Sequence, residues 1–412
     1  MSSGRCFPDG FFWGTSTAAH QVEGNNTNSD WFRFEQRPGA IKTGDSSLVA
    51  CDHYNRFRSD FEMLRQLNNN AHRLSIEWSR IEPEPGRFDA AQLRHYREVL
   101  EALHDNGLTP MLTLHHFTSP TWFAGRGGWT SPGSAEVFLR FAVRVLAELG
   151  DLVDLWCTLN EPNIYAYMGW VDGEFPPARR MDFAGMYRVL ANMRTAHELV
   201  YHHIKDAHPE AKIGLAHHKW LMIPANRRLR RDRLAARAAQ FTTDRWPVGR
   251  GRFEPVVEAS CDFIGLNHYS GSLCAFDPRR PLEYFIRREN PQGVPLNDFG
   301  WPIAPHLMRS VLNQLKIYGK PIYITENGIA AADDSVRRDF ILDVLREVWN
   351  AIQDGTDVRG YFHWTSMDNF EWARGYSMRF GIIDCDRNTL ERTPKPSASV
   401  YAEIAGANCL PE

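Results

Sequence analysis

Two hydrophobic periods alternate along this chain. Short apolar runs read as buried strands, and the stretches between them place apolar residues at steps of three and four, as in a helix with one buried face. The strands read as 11–19, 71–78, 109–115, 152–159, 212–216, 262–266, 322–325 and 358–364. The helices between and after them read as 53–67, 90–106, 135–149, 183–206, 227–240, 306–318, 336–353 and 397–404. Phe57, Phe61 and Leu64 share one face of the first helix, and Phe340, Val344, Val348 and Ile352 align at four-residue steps in the seventh. Gly107 and Gly150 stand where two of the helices should stop. Strand and helix in strict alternation predict a parallel sheet. Eight such units predict an α/β fold, a single (β/α)8 TIM barrel spanning residues 1–412 as one domain. An open doubly wound sheet is the alternative. The first strand is not followed by Gly-x-Gly-x-x-Gly and no Walker-type loop occurs, so nucleotide binding finds no support.

A barrel of this kind carries its chemistry at the C-terminal ends of the strands. The polar residues there are Gln21, Arg73, Glu77, His115, His116, Asn160, Glu161, Asn267, His268, Tyr269 and Glu326, with Trp364, Glu371 and Trp372 at and beyond the last strand. Within Tyr323-Ile324-Thr325-Glu326-Asn327-Gly328, an apolar run ends abruptly on a carboxylate and turns. Burying a charge is costly unless it is paired, and a structural ion pair would explain one such glutamate. Thr158-Leu159-Asn160-Glu161-Pro162 repeats the design. Two carboxyl groups facing each other across a barrel mouth suit glycosidic bond cleavage, one protonated to donate to the leaving oxygen and the other ionised. Glu326 is expected to be held ionised by Arg73 and the Tyr269 hydroxyl. Glu161 has no cation near it in sequence, and its pKa is expected to be raised by the charge of Glu326. Asn160 can hydrogen-bond a sugar 2-hydroxyl. A metal centre on His115, His116 and Glu161 is the competing arrangement. Neighbouring residues of a strand point to opposite faces, so both histidines cannot reach one ion, and no metal is expected.

Composition narrows the partners. A net charge of −3 gives no bulk attraction to nucleic acid or to an anionic membrane. The run Arg227-Arg228-Leu229-Arg230-Arg231-Asp232-Arg233 has no interleaved aromatics and reads as the solvated face of an outer helix. Aromatics make up 12%, with 13 Trp, which favours a flat or sugar-like ligand. The seven cysteines, Cys6, Cys51, Cys157, Cys261, Cys274, Cys385 and Cys409, are irregularly spaced with no Cys-x-x-Cys. Neither a zinc site nor a disulfide framework is indicated, so reduced, mostly buried thiols are expected. No signal-type N-terminus and no membrane-length apolar run is visible, and a cytoplasmic protein is expected.

These stretches resemble glycoside hydrolase family 1, the retaining β-glucosidases and their relatives. The Asn160-Glu161-Pro162 and Thr325-Glu326-Asn327-Gly328 segments resemble the family's acid/base and nucleophile motifs. Phe7 to Gly14 with Ala18 to Gly24, Asp262 to Tyr269, and Asp368 to Trp372 match three more. The resemblance runs from residue 7 past Pro394. It implies a retaining exo-β-glycosidase that removes terminal non-reducing β-D-glucosyl residues, with side activity on β-galactosides and β-fucosides. Glu326 would be the nucleophile and Glu161 the acid/base, with Arg73 and Tyr269 against the nucleophile. Gln21, His116, Asn160, Trp364, Glu371 and Trp372 would line the subsite for the non-reducing sugar, and Glu77 and Asn267 would be supporting residues. The resemblance implies a small-molecule β-glycoside as substrate and no cofactor, and it leaves the oligomeric state open.

The chain departs from the family pattern at His115 and at Phe117-Thr118, at His268 and at Asn163, and the connection 217–260 reads as short, which would open the rim. A 6-phospho-β-glycosidase is disfavoured by Glu371, whose charge would repel a phosphate. A thioglucosidase is disfavoured by Glu161, where those enzymes carry Gln. A catalytically silent glycan-binding barrel is disfavoured because both glutamates are present. A transglycosidase would use the same residues.

Overall fold

The computed structural model describes residues 4–244, 259–280 and 285–411. The strands that build the barrel are β1 (Phe12–Ser16), β2 (Ala71–Ser75), β3 (Thr109–His115), β4 (Leu155–Asn160), β5 (Lys212–His218), β7 (Ile264–Asn267), β10 (Ile322–Asn327) and β11 (Val358–Trp364). They close in the order β1-β11-β10-β7-β5-β4-β3-β2. Every pairing around the ring is parallel. The eight strands and eight helices read from periodicity are all present, with ends displaced by a few residues.

The floor of the barrel is filled by Ala71, Met111, Leu155, Phe263, Tyr323 and Phe362, with Phe12 packed against them. Small residues make room for these rings. A Cβ on Gly14 would lie 2.7 Å from both the Ala71 carbonyl oxygen and the Phe362 ring. With the lower layers apolar, the polar ends of the strands are confined to one mouth. Outside the ring, Phe138, Phe141 and Val145 of the helix Ser134–Leu149 and Val344, Leu345 and Val348 of the helix Asp334–Gln353 are buried against the strands.

Among the described residues, two small sheets fall outside the alternating pattern. β6 (Leu221–Pro224), β8 (Gly271–Phe276) and β9 (Ile286–Glu289) form a small sheet beside the mouth. β12 (Ile383–Cys385) and β13 (Arg392–Pro394) form a hairpin after the last barrel strand. β6 and β9 have four residues each, β12 and β13 three each, and β8 begins only three residues after β7, so none reads as a separate unit. The expectation of a short connection over 217–260 falls partly on residues outside those described.

The expectation that all seven thiols are reduced is corrected. Cys6 and Cys409 form a disulfide across a sequence separation of 403 residues. The two ends of the chain pair here, Phe7 N–H donating to Asn408 O and Leu410 N–H to Arg5 O. Barrel closure brings together segments that no local spacing could connect. Cys51, Cys157, Cys261, Cys274 and Cys385 are free and buried. Among the described residues, no helix is long and apolar enough to cross a membrane.

Candidate active site

Arg73, fully buried on β2, is the hub of the mouth. Its Nη1 donates to Glu326 Oε1 at 2.6 Å and its Nη2 donates to Asn160 Oδ1 at 2.6 Å. One guanidinium thereby ties the end of β10 to the end of β4. The Tyr269 hydroxyl donates to the other oxygen of Glu326 at 2.8 Å. Both oxygens of Glu326 thus have a donor, and one of those donors is a cation.

Glu161 sits in a different environment. Asn267 Nδ2 donates to its Oε1 at 2.8 Å and reaches Asn160 Oδ1 at 3.1 Å. The amide is oriented by Thr325, whose hydroxyl donates to Asn267 Oδ1 at 2.7 Å. Glu161 itself has φ 39° and ψ 56°, a left-handed conformation rarely adopted by a residue with a side chain, and Pro162 then opens a short helix. Backbone strain of this kind persists only where the surroundings enforce it, and it clusters at functional sites. The Asn327-Gly328 turn has a steric reason, since a Cβ at Gly328 would collide with the carbonyl oxygen of Trp364. This close approach seats the end of β10 against the end of β11.

The opposite side of the mouth is organised by Gln21. Its Nε2 donates to Glu371 Oε2 at 3.1 Å, Asn369 Oδ1 at 3.1 Å and Phe370 O at 2.9 Å. The His116 ring lies 5.8 Å from Trp364 and 6.1 Å from Trp372, within 26° of parallel to both. Trp372 is backed by Trp31, Phe117, Phe175 and His20, so this end of the mouth is sealed by rings. All ten residues expected at the site, Glu161, Glu326, Arg73, Tyr269, Gln21, His116, Asn160, Trp364, Glu371 and Trp372, converge on the one mouth through these contacts.

Three buried polar atoms of these residues have no hydrogen-bond partner among the described residues, Gln21 Oε1, Arg73 Nε and His116 Nδ1. Asn160 spends its Oδ1 on Arg73 and Asn267, so its Nδ2 donates to His116 Nε2 at 3.0 Å. Burial and Arg73 push the His116 pKa well below its ordinary value, so the ring is neutral and its proton resides on Nδ1. Gln21 Oε1 is therefore a spare acceptor and His116 Nδ1–H a spare donor, as a hydroxylated ligand requires.

Burial pushes the carboxyl of Glu161 up to about 7, against the Asn267 hydrogen bond and the field of Arg73. The cause is desolvation and not, as expected, the charge of Glu326. Burial also pushes Glu326 up to about 7; Arg73 and Tyr269 oppose this, and the repulsion from Glu161 adds to it. Of the two, only Glu326 has a cation in contact, and that cation favours its ionised form. Burial takes Glu371 to about 8 despite the Gln21 bond, with the two other carboxyls adding to the rise. The arrangement can hold one carboxylate and one carboxylic acid side by side near neutrality.

The departures from the pattern have structural counterparts. His115 turns away from the mouth toward Ser119 Oγ at 3.2 Å and the Trp129 ring. The Thr118 hydroxyl donates to Glu77 Oε1 at 2.9 Å, and Glu77 also accepts from Asn26, which leaves Glu77 in a buried network beside the site. His268 Nδ1 meets the Lys219 carbonyl at 2.7 Å, and Asn163 Nδ2 donates to His218 O at 3.0 Å. Asn267, expected as a supporting residue, supports Glu161 directly. Sequence reading missed the ring cluster beside Tyr269, in which Trp301 lies 5.7 Å from Tyr269 and Trp220 lies 5.5 Å from Trp301. The surplus of Trp was its only signal. Among the described residues, no three His, Cys, Asp or Glu side chains are grouped to hold a metal ion.

The family model described as Glycosyl hydrolase family 1 matches residues 3–255 and 253–409. The chain is 34% identical to beta-glucosidase A of Thermotoga maritima, over 98% of each. It is 28% identical to a beta-galactosidase of Pyrococcus woesei, over 98% of this chain and 97% of the relative. Among solved structures, it superposes on the Thermotoga maritima beta-glucosidase in complex with glucoimidazole with a TM-score of 0.92, at 33% identity over 99% of this chain and 100% of the other. A beta-glycosidase from Pyrococcus horikoshii gives a TM-score of 0.91 at 36% identity, over 99% and 97%.

Proposed function

The chain belongs to glycosyl hydrolase family 1 and is an O-glycoside hydrolase, and from that premise we propose a retaining exo-β-glucosidase with side activity on β-galactosides and β-fucosides. The observation that carries this reading is the asymmetry between the two carboxyl groups. Glu326 has Arg73 and Tyr269 on its two oxygens, whereas Glu161 is held only by a neutral amide.

In the first step an oxygen of Glu326 bonds to the anomeric carbon while Glu161 gives its proton to the departing oxygen. The aglycone leaves as the alcohol, and the sugar stays on Glu326. In the second step Glu161, now ionised, takes a proton from water. That water displaces Glu326 from the anomeric carbon and releases the sugar with its β configuration. Arg73 and the Tyr269 hydroxyl hold Glu326 ionised and aimed, and take it back as a leaving group. Asn160 bonds the 2-hydroxyl, His116 Nδ1–H and Gln21 Oε1 meet further hydroxyls together with Glu371, and the Trp364 and Trp372 rings flank the sugar. The ring-sealed end beyond Trp372 leaves no path for a second sugar there, which supports removal of terminal residues. The whole chain acts as one catalytic domain, on a small-molecule β-glycoside.

A 2-fluoro-β-glucoside inactivator tests the reading. The expected outcome is stoichiometric label on Glu326, and label on any other residue overturns the assignment. A panel of nitrophenyl β-glucoside, β-galactoside, β-fucoside and 6-phospho-β-glucoside is expected to give the highest kcat/KM on the glucoside. The proposed compartment is the cytoplasm. The Cys6–Cys409 bond is uncommon in that compartment, so cell fractionation decides: recovery with the cytoplasmic contents fits the proposal, and recovery from the medium or an outer compartment overturns it.

A further inference from the structure

A second cavity of about 250 Å³ lies on the flank of the mouth, outside the site described above. Its walls come from the helix Asp30–Glu35, the segment 119–130 after β3 and the segment 165–179 after β4. Phe34, Phe123, Tyr165 and Trp170 supply ring faces. Arg33, Arg37 and Arg179 supply three guanidinium groups against one carboxyl, Asp30. Neither Arg33 nor Arg37 has an ion-pair partner among the described residues. Arg37 lies over the Phe34 ring at 5.4 Å, which holds its cation at the cavity wall. Arg179 is only loosely engaged, 3.9 Å from Asp182. Asp30 is already occupied as an acceptor, taking the Ser119 and Trp31 N–H groups at 2.9 and 2.8 Å. The buried indole N–H of Trp170 has no partner among the described residues.

The volume is below the roughly 300–1,000 Å³ of drug-sized ligand pockets, so a single ring fits and an oligosaccharide does not. Ring walls beside unpaired guanidinium groups match a flat or puckered ring that carries a carboxylate, because the planar guanidinium fork binds that group bidentately. We propose that this cavity is a second small-molecule site, taking an aromatic acid or a sugar acid with its carboxylate held by Arg33 and Arg37. Its back wall, Tyr165, packs on His115 at 5.4 Å and Phe117 at 6.3 Å, and Phe117 packs on Trp372 at 5.3 Å. Two layers of rings therefore separate the cavity from the mouth.

Calorimetric titration of the full chain with glucuronate and with 4-hydroxybenzoate tests this. At least one of the two acids is expected to bind one to one, more weakly at high salt, and whichever does so identifies the source of the ring. The double variant Arg33→Ala/Arg37→Ala is expected to bind it about tenfold more weakly or worse, as loss of a charge-assisted contact requires. The same variant should hydrolyse nitrophenyl glucoside at the wild-type kcat/KM, which verifies its fold. Glu326→Ala should bind the acid as wild type does. The proposal is overturned if neither acid binds, if the double variant binds as wild type does, or if Glu326→Ala abolishes binding.

Discussion

The ends of β10 and β4 carry the same residue in two different settings. Each presents a buried glutamate at the mouth, and burial pushes both carboxyls up to about 7. Glu326 is met by a guanidinium and a phenol, Glu161 by an amide. Residue type and burial therefore do not separate their roles. What separates them is which carboxyl has charge compensation when it ionises. A carboxyl that must lose its proton to attack needs the cation, and a carboxyl that must keep its proton is better without one. Because the two groups are coupled, they titrate as a pair across neutrality, and a narrow optimum near pH 7 for kcat/KM follows.

Replacing each member of the pair breaks the comparison most severely. Glu326→Ala removes the group that bonds to the sugar, and kcat on nitrophenyl glucoside should fall by about 10⁴-fold or more, as when other covalent nucleophiles are removed. Azide should restore turnover and yield the glycosyl azide of inverted configuration. Glu161→Ala should be selective. Glycosylation by a dinitrophenyl glucoside, whose leaving group needs no proton, should survive, whereas alkyl glucosides should lose about 10²–10⁴-fold. Equal losses on both substrates would refute Glu161 as the acid.

Arg73→Met tests the cause of the asymmetry. Without the cation, Glu326 should titrate about 1–3 units higher. The acid limb of kcat/KM, which requires ionised Glu326, should therefore move to higher pH. Arg73 also lowers Glu161, so the alkaline limb should follow by less, and the profile should narrow from its acid side. Arg73→Lys keeps a charge without the fork to Asn160 and should recover most of the limb position while losing rate. An unmoved acid limb in Arg73→Met would show that Glu326 owes its ionisation to something else.

The two glutamates were legible in the sequence because each ends an apolar run with a charge, a conflict visible without a structure. The barrel was legible because eight strand and helix units bury their apolar residues at two distinct periods. The Cys6–Cys409 bond was not legible, because only closure of the ring brings those ends together. The side sheet built by β6, β8 and β9 was lost because β6 and β9 have four residues each and β8 follows β7 after three residues, so the run reads as one unit with its neighbour. The cause of the raised Glu161 pKa was misread because the depth of burial is a property of the packed mouth. Asn267 is the most instructive case. Its place at a strand end was readable, but its reach from β7 to Glu161 on β4 depends on β5 lying between them and on Thr325 turning its amide.

Asn267 also supplies the finest test. Its Nδ2–H is the hydrogen bond that favours ionised Glu161, and it opposes a much larger effect of burial. Asn267→Ala removes the bond and leaves the burial, so Glu161 should keep its proton to higher pH. The alkaline limb of kcat/KM should rise by about one unit or less, the equivalent of one modest hydrogen bond. The acid limb, set by Glu326 with Arg73 and Tyr269, should hold still. Rates on activated aryl glucosides should change less than about tenfold, because their leaving groups do not call on the acid. Movement of the acid limb in place of the alkaline one would mean that Asn267 acts through Asn160 and Arg73 on Glu326, and that the two carboxyl environments are not separable.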